Sequence, residues 1–169
     1  MFEIRKAVSQ DALGITIVNV YTWKTAYAGL MPDRLLDGRI ARLREQTERC
    51  RLDIVKDDSF LVAVVGQTVV GFCRFGSSRN QAYRDSGEIN AIYVLRGYQG
   101  TGIGRALFSA GARKLLSQGY SSMIVNCLQG NSALLFYRHL GGTVVAQRED
   151  KIEGGTIKED IIYFNLTIH

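Results

Sequence analysis

The spacing of apolar and polar positions changes several times along the chain, and each change marks an element. Phe2-Glu3-Ile4-Arg5 alternates and predicts a short opening strand. Ser9, a good helix-capping residue, precedes a run in which Leu13, Ile17, Val20 and Tyr21 recur at helical spacing. Trp23 and Tyr27 follow four residues apart on a shared face. Pro32 ends this helix, because the residue before a proline is pushed out of helical geometry. A charged helix is predicted over 33–52. Phe60 to Val65 and Thr68 to Phe75 then read as strands joined by a Gly66-Gln67 hairpin. Gly76 to Ser86 is polar and loop-like, and Glu88 to Val94 reads as a further strand. A glycine-rich stretch, Gly97 to Gly104, leads into a helix that runs to about Gln118, with Gly119 as its C-terminal cap. Ser122 to Leu128 is a buried-looking strand. Ser132 to Leu140 is a short helix preceded by Asn131 and stopped by Gly141-Gly142. Strands at about 143–148 and 157–168 flank a turn at Glu153-Gly154-Gly155. This order predicts an α/β (α+β) fold around one mixed sheet.

Composition narrows the picture by exclusion. A length of 169 residues with 46% hydrophobic and 22% charged residues is ordinary for one globular domain, expected to span 1–169. Such a chain buries enough surface to fold without a disulfide or metal staple. Cys50, Cys73 and Cys127 form no CxxC pair, and with His139 and His169 they offer no zinc-ligand spacing, so no metal is expected. Free thiols and an opening, Met1 to Lys6, without a secretory layout predict a cytoplasmic protein. The most apolar stretch, Phe60 to Cys73, is interrupted by Gly66, Gln67 and Gly71 and is too short to span a membrane. The net charge of +5 admits an anionic partner such as a nucleotide. The densest basic region, 34–58, interleaves seven basic with six acidic residues and reads as a solvated face, not a nucleic-acid surface.

The glycine stretch carries the strongest chemical signal. A strand, then glycines, then a helix start brings unpaired N–H groups and the positive end of a helix dipole to one point, which suits phosphate. Two common phosphate-binding patterns fail. GxGxxG from Gly100 meets Arg105 where its last glycine belongs, and GxxxxGK from Gly97 meets Ile103 where its lysine belongs. What does fit is Gln-x-x-Gly-x-Gly, formed by Gln99, Gly102 and Gly104.

That motif resembles the acetyl-coenzyme-A loop of the GCN5-related N-acetyltransferase (GNAT) family. Three other segments resemble the family in the right order. Gly87 to Val94 resembles the strand before the loop, and Asn131 to Arg138 resembles the later N-x-x-A-x-x-x-Y helix. Trp23 to Pro32 resembles the first helix and loop of many small bacterial members. The resemblance implies a mixed central sheet flanked by helices, with a splayed pair of parallel strands. It also implies transfer of an acetyl group from acetyl-CoA to a primary amine, on a small molecule or peptide, by direct attack in a ternary complex. A macromolecular acceptor (a protein N-terminus or aminoacyl-tRNA) and a non-catalytic acyl-CoA-binding module are the alternatives. Dimers are common among relatives.

The resemblance also suggests tasks for individual residues. Backbone groups of Gln99, Gly100, Thr101, Gly102, Ile103, Gly104 and Arg105 would hold the diphosphate of the cofactor, although a plain strand-to-helix turn also explains them. Ile92, Tyr93 and Val94 would bond the pantetheine arm. Asn131 would touch that arm, cap its helix, or do both. Tyr137 stands at the family position of the acid that protonates the leaving thiolate; otherwise it packs against the cofactor. Glu88 is either a general base or an edge-strand carboxylate in water. Trp23, Tyr27, Asn19 and Met31 would wall the acceptor pocket, or the aromatics belong to the core. Cys127 reads as a packed strand residue rather than an acyl-carrying nucleophile, and His139 as a surface residue at a helix end.

Overall fold

The computed structural model describes residues 1–167. Ile168, the expected end of the last strand, and His169 lie outside the described residues. The chain packs as two compact units, each discontinuous in sequence: Met1–Arg74 with Ala91–Gly111, and Phe75–Asn90 with the chain from Ala112 onward.

The first unit carries β1 (Glu3–Lys6), β2 (Phe60–Val65), the start of β3 (Thr68–Ser77) and the end of β4 (Gly87–Val94), hydrogen-bonded in that order. β1 and β2 pair antiparallel from Glu3↔Val64 to Lys6↔Leu61, and β2 and β3 from Phe60↔Arg74 to Val65↔Thr68. Nearly every residue of β2 is buried, because both sheet faces are covered. One face meets α1 (Ala12–Ala26) and α3 (Leu43–Lys56) in a core of Ile15, Val18, Ile54, Phe60, Val62, Val64 and Phe72. On the other, α4 (Ile103–Ser117) sets Leu107 against Gly71 and Val94. α2 (Asp33–Ala41) follows Pro32 and buries Leu36.

Three expectations about this unit need correction. Ser9 does not cap α1 but begins a short 3-10 turn, Ser9–Asp11. The capping chemistry belongs to Asp11, which accepts the Val8 N–H at 2.8 Å and the Arg5 guanidinium at 2.7 and 3.0 Å. The apolar run of α1 also misleads: Leu13 and Tyr21 face solvent, while Ala12, Ile15, Val18 and Val20 are buried with Thr16 and Thr22. The charged helix expected over 33–52 is two helices, parted at Arg42 (φ −101°, ψ 25°). The side-chain amide of Gln46 donates to the Arg39 carbonyl there, a break that no proline or glycine pair announces.

The second unit continues β3 and holds the start of β4, then β5 (Ser122–Leu128), β7 (Gly155–Asn165) and β6 (Thr143–Ile152), in that hydrogen-bonded order. β4 and β5 are parallel, paired at Gly87↔Met123 and Glu88↔Ile124. β5 pairs antiparallel with β7 from Ser122↔Asn165 to Leu128↔Glu159. The β6–β7 hairpin extends to Ile152↔Gly155, beyond the expected Arg148. Its polar tip reads as loop in the sequence, yet cross-strand pairs such as Arg148–Glu159 (3.1 Å) support the ladder. α5 (Ala133–His139) lies between β5 and β6 in sequence. Seven strands thus form a mixed, mostly antiparallel sheet flanked by helices. No helix of the described residues is long and apolar enough to cross a membrane.

Candidate active site

The glycine loop lies wholly in the first unit. After β4, residues 96–98 make one 3-10 turn, and the Gln99 N–H donates to the Arg96 carbonyl at 3.3 Å. The Gln99 side chain reaches back, its Nε2 donating to the Val94 carbonyl at 2.9 Å, and Thr101 Oγ1 donates to the Tyr98 carbonyl at 2.6 Å. Gln99 is therefore the staple that ties the loop to the strand. Gly100 and Gly102 adopt φ of +75° and +88°, where a side chain is strained. A Cβ at either would meet no atom of the other described residues within 4 Å, its chain neighbours aside, so the outer face of the loop is open. The first helical bond of α4 runs from the Ala106 N–H to the Gly102 carbonyl at 3.0 Å. The N–H groups of Ile103, Gly104 and Arg105 therefore have no partner within the helix and stand at the positive end of its dipole. Together these features form an open cradle, free of any Cβ at Gly100 and Gly102, whose N–H groups suit an anion.

Beside the loop, β4 divides its main chain between two directions. The Leu95 N–H donates to the Val70 carbonyl of β3 at 2.9 Å. Groups two residues apart on a strand face the same way, so the main chain of Tyr93 also turns to β3, while that of Ile92 and Val94 turns away. Of the three residues expected to bond a pantetheine arm, Ile92 and Val94 direct their main chain away from β3 and Tyr93 directs its toward β3. The Tyr93 side chain makes contacts of its own.

That side chain joins Trp23, Tyr27, Asn19 and Met31, which the fold brings together in the same unit. The Tyr93 hydroxyl accepts from Trp23 Nε1 at 3.0 Å and shares a hydrogen bond with the Tyr27 hydroxyl at 3.0 Å. Trp23 and Tyr27 pack edge to face at 4.9 Å, as their four-residue spacing on α1 allows. Gly29 (φ +77°) turns the chain so that the Met31 N–H bonds the Tyr27 carbonyl at 3.0 Å, which buries Met31. Arg39 of α2 is the member the sequence did not reveal. Its guanidinium lies 3.9 Å above the Trp23 ring, and its Nη2 donates to Asn19 Oδ1 at 2.8 Å. Burial lowers the Arg39 pKa, an effect that the Tyr93 and Tyr27 hydroxyls partly oppose. Arg39 sits within the mixed-charge stretch that reads as a solvated face, so only tertiary packing shows its role.

The remaining candidates lie in the second unit. Glu88 is not a carboxylate in water: it is 1% exposed. Its Oε2 accepts the Arg79 N–H and its Oε1 the Arg79 Nη2, both at 2.9 Å. Sequence reading missed Arg79, which lies in the polar loop before β4. Asn131 Oδ1 accepts the Ala133 N–H at 3.0 Å and so caps the start of α5. Tyr137 is buried, its ring 5.3 Å from that of Phe136. Behind it α5 closes with the Gly141 N–H bonded to the Arg138 carbonyl and the Gly142 N–H to the Tyr137 carbonyl, both at 3.0 Å. Gly141 supplies the left-handed φ of +95° that this closure needs, which fixes Tyr137 in the last turn. Burial pushes the Cys127 thiol up to about 11, so it holds little thiolate near neutral pH. His139 is exposed, its Nδ1 2.7 Å from the Leu135 carbonyl.

Comparison with known proteins agrees with this geometry. The family model described as "Acetyltransferase (GNAT) family" matches residues 23–141. The chain is 32% identical to the uncharacterized N-acetyltransferase YuaI of Bacillus subtilis (strain 168), across 94% of this chain and 90% of that one. It resembles the crystal structure of the PaiA N-acetyltransferase of Thermoplasma acidophilum in complex with coenzyme A, with a TM-score of 0.74 at 20% identity, covering 98% and 99% of the two chains. It also resembles yncA of Salmonella typhimurium, solved with its cofactor acetyl-CoA, with a TM-score of 0.68 at 25% identity, covering 99% and 95%. The chain belongs to the acetyltransferase (GNAT) family of acyl-CoA-dependent N-acyltransferases.

Proposed function

We propose that the protein transfers an acetyl group from acetyl-CoA to a primary amine, by direct attack of the amine with both substrates bound. The observation that carries this reading is the open cradle at Gly100 and Gly102, set against the start of α4. The solved relatives that hold coenzyme A and acetyl-CoA support it. A diphosphate fits the cradle's chemistry, because the unpartnered N–H groups at the start of α4 favour an anion. Acetyl-CoA supplies the acetyl group as a thioester.

The chain's own residues would then orient the reactants and manage protons. The main chain from Gly102 to Arg105 holds the diphosphate, and Ile92 and Val94 bond the pantetheine arm. Asn131 adds a polar contact to that arm while its Oδ1 caps α5. Attack forms the amide C–N bond and breaks the C–S bond. Tyr137 donates its phenolic proton to the departing thiolate, whose conjugate acid has a pKa of about 8.5, and the proton that the nitrogen sheds as the amide forms returns through solvent to the phenolate. Both Glu88 oxygens already accept hydrogen bonds from Arg79, through its main-chain N–H and its Nη2. Glu88 is accordingly given the task of holding the Arg79 loop, and the ammonium loses its proton to water before attack. Holding two reactants in line is itself worth roughly 7–11 kcal/mol.

Replacing Tyr137 with Phe tests the proton step. The variant should lose about 100-fold or more in kcat while its affinity for acetyl-CoA stays close to that of the parent. An unchanged kcat would remove Tyr137 as the acid.

A further inference from the structure

Arg39 is a cation whose anion is missing. Other arginines of the chain meet carboxylates: Arg5 pairs with Asp11, Arg49 with Glu45, Arg74 with Asp53 and Arg148 with Glu159. Among the described residues no carboxylate lies within ion-pair distance of Arg39. The nearest acid in sequence, Asp37, is taken by Lys24 at 3.1 Å. The cost of this arrangement is visible in the side chain itself. Arg39 Nε is buried without a hydrogen-bond partner among the described residues, and the guanidinium stacks on the Trp23 face and donates to Asn19 Oδ1. A buried donor left unpaired is costly, and a partly buried charge without a counter-charge more so. A partly buried cation that keeps such a cost is a candidate for binding an anionic ligand. The fold also fixes this cation. The stack on Trp23 and the bond to Asn19 set the plane of the fork, and the Tyr27–Tyr93 hydrogen bond holds Trp23 in turn. A planar guanidinium held in one orientation recognises a carboxylate through two parallel hydrogen bonds.

We infer that the amine acceptor carries a carboxylate close to its amino group, as an amino acid does, and that Arg39 is the residue that recognises it. This inference rests on the acetyl-transfer reading and names the class of acceptor. A polyamine, which brings only positive charge to Arg39, is disfavoured by the same electrostatics.

The test compares amino acids with their carboxamides, which keep the side chain and the amine and lose only the charge. In a thiol-release assay with acetyl-CoA, the parent protein should favour the acids by more than 10-fold in kcat/KM. A charged hydrogen bond lost at this point corresponds to about 10- to 100-fold. In Arg39→Gln the ratio of acid to amide should fall to near 1, and Arg39→Lys should restore part of it. Calorimetric titration of the N-acetylated products, acid against amide, reads the same recognition without turnover and, on the parent protein, without any substitution. Acid-selective binding without turnover would overturn the transfer reading and keep Arg39 as a carboxylate site. Equal binding of acid and amide, or equal loss of both in Arg39→Gln, would overturn the inference even if turnover is robust.

Discussion

The glycine loop offers a perturbation whose two effects separate cleanly. Gly102 has φ of +88°, and a Cβ there would meet no atom of the other described residues within 4 Å, its chain neighbours aside. Gly102→Ala therefore adds no internal clash, only the strain of a left-handed L residue, roughly 1–2 kcal/mol. For a chain of this size each kcal/mol shifts Tm by about 2–4 °C, so Tm should fall by about 2–8 °C. The second effect concerns the ligand. The new methyl would stand in the open face of the cradle and hold a phosphate away from the N–H groups at the start of α4. Loss of even one charge-assisted hydrogen bond is worth about 1.5–3 kcal/mol, or at least a tenfold rise in Kd. Gly66 supplies the control. It has φ of +61°, is equally open around its Cβ, and sits in the β2–β3 turn outside the glycine loop. Isothermal titration with acetyl-CoA, paired with thermal melts, should show similar Tm losses for both variants and weakened binding for Gly102→Ala alone. Parent-like affinity in Gly102→Ala, or equal weakening in Gly66→Ala, would refute the reasoning.

Two further outcomes follow from the same structure. Burial alone would raise the Asp11 pKa, but the Arg5 hydrogen bonds, the Val8 N–H and the Arg5 charge outweigh it and hold the carboxyl below its usual range. Its contribution to stability is thus present above about pH 4 and lost as pH falls through the lowered value; Asp11→Asn should cost about 2 kcal/mol at pH 7 in urea unfolding, with the gap closing in acid. Cys127→Ala should leave kcat within about twofold, because a thiol pushed up to about 11 is not an effective nucleophile near neutral pH; a collapse of turnover there, with the fold intact, would point to an acyl-cysteine intermediate.

The fold was legible wherever local pattern and packing agree. β2 and β5 match their sequence-predicted ranges because β2 is an uninterrupted apolar run, β5 a mostly apolar one, and both are bounded by turn residues. The Gly119 cap of α4 was readable for a similar reason, since a left-handed C′ residue favours glycine. The errors fall where tertiary contacts override periodicity. Leu13 and Tyr21 keep helical spacing yet face water, and the break at Arg42 depends on the side chain of Gln46. The candidate site divides along the same line. Gln99, Gly100 and Gly102 stand out because backbone geometry demands particular residues at fixed spacing. Arg39 and the Tyr93 hydroxyl were hidden because their meaning lies in one ring stack and two long-range hydrogen bonds. Glu88 was readable as a chemical group, but not its commitment to Arg79, nine residues before it.

The central claim is that this chain moves an acetyl group from acetyl-CoA to an amine. The most direct measurement is the release of free coenzyme A thiol on mixing protein, acetyl-CoA and amino acids, with the acetylated amine quantified by mass spectrometry in the same samples. Release should depend on the amine and match the N-acetyl product mole for mole. Thiol release that is independent of the amine, or no product across amino acids, polyamines, aminoglycosides and short peptides with acetyl-CoA bound, would contradict it.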